Sequence, residues 1–205
     1  YFPKEKASGE AEGRKETYAS GRKRRDSAEG IYERFEIRRG IEDNCMKKTD
    51  SNEKRGGIYI HIPFCVRKCA YCDFLSAPAD EKTQAEYVKA LQTEIYQTAK
   101  LLSENPYTVD TVFFGGGTPS ILAPGHVKAL ADTLRESFPF AENAEITIEC
   151  NPGTLDEEKA AVYRQAGINR ISFGLQSANN RELKMLGRIH TMEEFVKSYE
   201  TARAA

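Results

Sequence analysis

The sequence has no apolar run near the roughly 20 residues a membrane span requires, and its N-terminus is too polar for the apolar region of a secretory leader. A cytoplasmic location is the expectation. Strong charge of either sign is also lacking. Residues 1–55 hold 15 Lys and Arg against 12 Asp and Glu, and the remainder holds 15 against 19. Neither excess argues for nucleic acid or an anionic membrane surface as a partner. Cysteine is scarce and unevenly placed. Of five in 205 residues, three fall at Cys65, Cys69 and Cys72, unlike the spread-out set of a secreted disulfide scaffold. Thiols clustered in a reducing compartment point to metal instead.

Composition divides the chain. Residues 1–55 mix Gly, Ser, Glu, Lys and Arg with few aliphatics, too little apolar surface to offset the entropy of ordering, so a polar, disordered tail is expected there. Within it, Ile31 to Ile41 can make one short helix, Arg22 to Arg25 reads as a solvated charge run, and Cys45 as an exposed thiol. From residue 56 to 205 a β-branched or aromatic run, a Gly/Pro-rich loop and an amphipathic stretch repeat four times. Strands are expected at Ile58–Ile62, Thr111–Phe114, Glu145–Glu149 and Arg170–Phe173. Helices are expected at about Glu81–Leu102, His126–Ser137, Asp156–Ala166, Asn179–Leu186 and Met192–Ala204. Such alternation implies an α/β fold with a parallel sheet, either a barrel or an open doubly wound arrangement. Four strands do not close a barrel, and the first residue is Tyr1, so the sequence is expected to be a piece of a longer one.

The chemistry concentrates after the first expected strand, in IYIHIPFCVRKCAYCDF. Cys65, Cys69 and Cys72 stand in a CxxxCxxC spacing, and three thiolates on a short loop can hold three irons of a [4Fe-4S] cube, leaving the fourth iron open to a small molecule. Arg67 and Lys68 would offset the negative charge of such a cluster. A structural zinc site with His61 as fourth ligand is the competing reading, because zinc takes Cys3His readily. Zinc loops more often use pairs of CxxC. Alternation along the strand puts Tyr59 and His61 on one face and Ile58, Ile60 and Ile62 on the other.

Further along, Gly115-Gly116-Gly117-Thr118-Pro119-Ser120 ends the second strand, and three glycines there let main-chain groups approach a ligand, although a tight turn or a phosphate cradle would use similar residues. Glu149, in Glu149-Cys150-Asn151-Pro152-Gly153-Thr154, puts a carboxylate at the end of the third strand, where parallel folds build their sites. A solvated loop-edge carboxylate is the plain alternative. Cys150 reads as a small buried thiol. Gln176 in FGLQS and Arg188 in LGRIHT are individually unspecific, and His190 reads as a structural neighbour.

The cysteine loop with its strand resembles that of the radical SAM superfamily. IHIPFC followed by YC narrows the resemblance to its HemW/HemN group, which contains heme chaperones and oxygen-independent coproporphyrinogen III oxidases. The resemblance covers about residues 57 to 205. It implies a partial (β/α) TIM-like barrel of the radical SAM type, with about four βα units and the remaining strands outside this chain. It also implies a [4Fe-4S] cluster on Cys65, Cys69 and Cys72, whose open iron chelates S-adenosylmethionine. One-electron reduction then yields methionine and a 5′-deoxyadenosyl radical, chemistry that belongs to the cofactor while the protein supplies position and charge. Tyr59, Tyr71, Gly116, Gly117, Thr118, Glu149, Gln176 and Arg188 fall on cofactor-contacting positions by this resemblance, and no side chain takes a catalytic role. The oxidases carry a CxC arrangement where this chain reads Cys72-Asp73-Phe74, and ECNPGT is chaperone-like. A heme chaperone is therefore the expected function, with heme, heme-acceptor proteins and an electron donor as partners. A radical oxidoreductase such as coproporphyrinogen oxidase is the alternative, and an inactive fragment or zinc module a second one. Heme ligands are not expected in this chain.

Overall fold

The computed structural model describes residues 54–104 and 107–205. The expected tail, with its candidate helix at Ile31–Ile41, the basic run and Cys45, lies outside the described residues except for positions 54 and 55. The elements run β1 (Arg55–Ile62), α1 (Glu81–Leu101), β2 (Thr108–Gly116), a short 3-10 turn (Pro119–Ile121), α2 (Pro124–Ser137), β3 (Phe140–Cys150), α3 (Glu157–Gln165), β4 (Arg170–Phe173), α4 (Asn180–Met185) and α5 (Met192–Ala204). All four strands are parallel and lie in sequence order. Doubly wound sheets reverse their strand order at a switch point, so an unreversed run is the opening of a barrel wall.

Local chemistry explains the helix starts. Asp80 accepts from the Thr83 amide at 2.8 Å, Asp156 from Lys159 at 2.7 Å and Asn179 from Arg181 at 2.9 Å, each satisfying an N-terminal donor that the helix leaves unpaired. Thr191 and Glu194 form a reciprocal capping box on α5. Strand alternation then sorts the side chains. Ile60, Ile62, Val112, Phe114, Ile146, Ile148 and Cys150 are buried beside Val88, Ile95, Leu130, Leu134 and Tyr163 of the helices. The opposite parity makes the second face. Register aligns Tyr59, Phe113, Thr147 and Arg170 in one row and His61, Gly115, Glu149 and Ser172 in the next.

Three strands are longer than their residue types indicate. β1 starts at Arg55 rather than Ile58, β2 at Thr108 rather than Thr111, and β3 at Phe140 rather than Glu145. Neighbour pairing carries these extensions through glycine and polar residues. Register shifts at Gly56/Gly57 and Val109/Thr111 absorb the irregularity, and Arg55 meets Asp110 at 3.0 Å beside them. Among the described residues no helix is long and apolar enough to cross a membrane.

Phe114, 1% exposed at the centre of this core, is expected to cost about 3–5 kcal/mol when cut to Ala. A urea titration of Phe114→Ala against the parent measures that loss, and a midpoint shift worth under about 1 kcal/mol would contradict the packing described.

Candidate functional site

Parallel strands deliver their C-terminal ends to one rim, and each of the four ends here leads into one of the loops singled out by their residues. Backbone pairing continues past the strands. Gly117 donates its amide to Ile62 O at 2.8 Å and Thr118 to Phe64 O at 2.7 Å, so the glycine loop is zipped to the start of the cysteine loop. That loop is closed at its base by a parallel bridge between Phe64 and Ala77, with Cys65 N–H on Ala77 O and Ala77 N–H on Pro63 O. Inside it, Cys72 N–H turns back onto Cys69 O at 3.2 Å.

Cys65, Cys69 and Cys72 are unpaired, half-buried thiols lining a cleft of about 260 Å³. Tyr71, Gly116, Gly117, Thr118, Glu149, Gln176 and Arg188 line the same cleft. Tyr59 does not. It lies one row below, 55% exposed, stacked on Phe113 at 6.0 Å with its hydroxyl 3.4 Å from His61 Nδ1. Burial, then the charge of Glu149, hold its phenol above the ordinary range.

The structure gives the glycines a packing role. Gly116 has φ +110°, and a Cβ there would sit 2.6 Å from the His61 ring; at Gly117 it would sit 2.5 Å from Phe64 O. Side chains are excluded because the chain packs against itself. His61 is committed to this packing and to Leu75 O, 3.4 Å from its Nε2. A zinc ion needs every donor at about 2.0–2.3 Å from one point, whereas a cube spreads its ligands over separate corners. Among the described residues no three His, Cys, Asp or Glu side chains, the three cysteines included, stand grouped as they would around a metal ion.

Arg188 organises the opposite wall. It donates to Gly174 O at 2.7 Å, Asn151 Oδ1 at 2.5 Å, Tyr71 Oη at 3.3 Å and Cys69 Sγ at 3.7 Å. Its Nε and the Ser76 hydroxyl are buried without a protein partner among the described residues. Both residues belong to the cleft lining. Arg67 reaches Gly187 O at 2.6 Å and Lys68 reaches Phe74 O at 3.2 Å, so two cations border the thiols. Three free thiols, flanking cations and unsatisfied donors fit an anionic cluster with a polar ligand beside it. Gln176 takes φ +69°, a left-handed backbone uncommon for a non-glycine residue, and is exposed at the rim. Cys150 is turned into the core, where burial pushes its thiol up to about 12. His190 is buried too, with Nε2 3.1 Å from Leu175 O, and burial lowers its pKa. Asn151 belongs to the site although its Asn-Pro-Gly setting reads as an ordinary turn.

Glu149 sits half-buried with Oε2 accepting the Gly116 amide at 3.2 Å. Burial holds its carboxyl above the ordinary value of 4.5, and the amide pulls the other way. An acid raised by folding gives its full stability below the unfolded pKa and loses it as pH rises through the folded one. Glu149→Gln cannot ionise, so it is expected to melt higher than the parent at about pH 8 and to lose that margin near pH 4. Thermal melts at both values check this; a margin independent of pH would show that the carboxylate is not penalised.

Residues 59–205 match the family model described as the radical SAM superfamily. Over 146 residues the chain is 42% identical to the heme chaperone HemW of Escherichia coli, covering 71% of this chain and 38% of that protein. Over 156 residues it is 32% identical to the radical S-adenosyl methionine domain-containing protein 1, mitochondrial, of Danio rerio, covering 76% and 35%. The structure of coproporphyrinogen III oxidase (HemN) from Escherichia coli superposes with a TM-score of 0.68 at 30% identity, over 76% of this chain and 36% of that one. The chain thus spans under two fifths of the length of these relatives. With its four parallel strands and a cysteine loop at their C-terminal rim, the chain belongs to the radical SAM superfamily, in its HemW/HemN group.

Proposed function

We propose that the chain is the cluster- and cofactor-binding portion of a HemW-like heme chaperone. The observation that carries this reading is the cleft in which Cys65, Cys69 and Cys72, on the loop after β1, meet the ends of β2, β3 and β4. Cys65, Cys69 and Cys72 would hold a [4Fe-4S] cluster, leaving one iron without a protein ligand and open to S-adenosylmethionine. Bound there, the cluster supplies one-electron chemistry to the sulfonium. Arg67, Lys68 and Arg188 compensate the negative charge of the thiolates, and Arg188 and Tyr71 form the wall against which the cofactor lies. Glu149, at the end of β3, accepts hydrogen bonds from its ribose. Gly116 and Gly117 keep the loop tight enough for the main chain to border the cofactor. Residues 56–205 form the N-terminal part of the radical SAM core domain, and residues 1–55 a polar appendage.

Phe74 stands where the oxidases place a further cysteine, which favours heme transfer over porphyrin oxidation. Heme, acceptor proteins and an electron donor are the partners on this reading. The compartment is a reducing one, the cytoplasm in the first instance; the relative from Danio rerio carries a mitochondrial designation. Similarity to the HemN structure supports a second reading, a radical oxidoreductase acting on a coproporphyrinogen-like substrate.

Anaerobic reconstitution is expected to give a brown protein with acid-labile sulfide and an EPR signal that changes when S-adenosylmethionine is added. Cys69→Ser is expected to lose most of its iron, because two thiolates hold a cube poorly. Full iron retention in that variant, or stoichiometric zinc without sulfide in the parent, would refute the ligand assignment. Heme transfer to an apo-acceptor, against conversion of coproporphyrinogen by the full-length protein, separates the two readings.

A further inference from the structure

Asn151 bridges the two loops that face the cysteines, and its bonding roles are forced. A guanidinium only donates, so the amide atom 2.5 Å from Arg188 must be the oxygen. The amide nitrogen therefore points the other way, and it lies 3.0 Å from Thr118 Oγ1. Thr118 accepts there, which frees its own O–H for Cys65 Sγ, 3.4 Å away. A thiolate can only accept, so this last direction is fixed as well. At the other end Arg188 donates to Cys69 Sγ at 3.7 Å. The result is a circuit of Cys65, Thr118, Asn151, Arg188 and Cys69 in which both ends present a donor to a sulfur.

The surroundings are built for this arrangement. Asn151 N–H donates to Ser120 Oγ at 3.2 Å, and Thr154 Oγ1 donates to Asn151 O at 2.6 Å. Ser120 in turn meets Thr154 at 2.6 Å, and Ser120 is fully buried. The backbone of Asn151 is thus held on both sides. Gly174 completes the fit. A Cβ on it would fall 2.9 Å from Asn151 Oδ1 and 3.3 Å from an Arg188 nitrogen, the two atoms that meet.

We propose that Asn151 is a positioning residue which, through Thr118 and Arg188, aims hydrogen-bond donors at two of the three cluster thiolates and so raises the reduction potential of the cluster. Donors at sulfur favour the more negatively charged reduced state, and hydrogen bonding to the sulfurs is an established lever on cluster potential. The proposal rests on the cluster assignment above.

The test is an EPR-monitored redox titration, without S-adenosylmethionine, of the reconstituted parent, Asn151→Ala, Thr118→Val, the double variant and Thr118→Ser, with iron and sulfide measured on each. Asn151→Ala and Thr118→Val are expected to shift the midpoint to more negative potential. The double variant is expected to match Asn151→Ala alone, because Thr118 acts downstream of it. Thr118→Ser, which keeps the hydroxyl, is expected to keep the parent potential. Additive shifts, or a parent-like potential in Asn151→Ala, would overturn the proposal. Should Asn151→Ala load no iron, Gly174→Ala replaces it: it leaves Asn151 in place but pushes it from Arg188, and the same negative shift is expected, a parent-like value overturning the proposal. A parent that assembles no cluster sinks the function proposed above, whereas a loaded parent with unmoved variants sinks this inference alone.

Discussion

The site depends on the pairing of β1 with β2 running on beyond the strands. Main-chain bonds from Gly117 to Ile62 and from Thr118 to Phe64 leave no gap between the cysteine loop and the glycine loop. This contact is possible only without side chains, since any Cβ at Gly116 or Gly117 meets His61 or the Phe64 carbonyl. Everything at the rim inherits its position from that seam: Cys65 faces Thr118, and Thr118 lies within reach of the loop that follows β3. A long hydrophobic wall behind it, from Ile62 through Phe114 to Ile148, keeps the strand ends level.

Much of this was legible in the residues. β-branched runs broken by Gly and Pro marked the four strands, and β4 has the extent expected of it. Helix starts followed from Asp80, Asp156 and Asn179, whose capping role is local chemistry. Strand lengths were less readable, because Gly56, Asp110 and Asn143 belong to strands only through their neighbours' hydrogen bonds. At the site, the three cysteines and the order of the loops could be read directly. The displaced position of Tyr59 could not, since alternation says which face it occupies but not how far along the sheet the cleft reaches. Asn151 was hidden for another reason. Its partners come from β2's loop and from the turn after α4, and sequence proximity reports neither.

Electrostatics at the rim follow one pattern. Among the described residues Arg67 and Lys68 form no ion pair; they bond to the carbonyls of Gly187 and Phe74, beside the thiols. Glu149 is the counterexample, a carboxylate whose burial resists ionisation and whose one main-chain partner only partly offsets that cost. Cations at the cysteines and an acid poised at the third strand end make the cleft polar in a graded way, suited to a ligand that carries both charge signs.

The clasp between Phe64 and Ala77 sets how the cysteine segment is closed. Main-chain bonds join Pro63 and Cys65 to Ala77, so the backbone itself holds together the two ends of the segment that carries Cys65, Cys69 and Cys72. Small zinc modules fold only when metal supplies the missing free energy. Here the closure of the loop comes from main-chain hydrogen bonds instead.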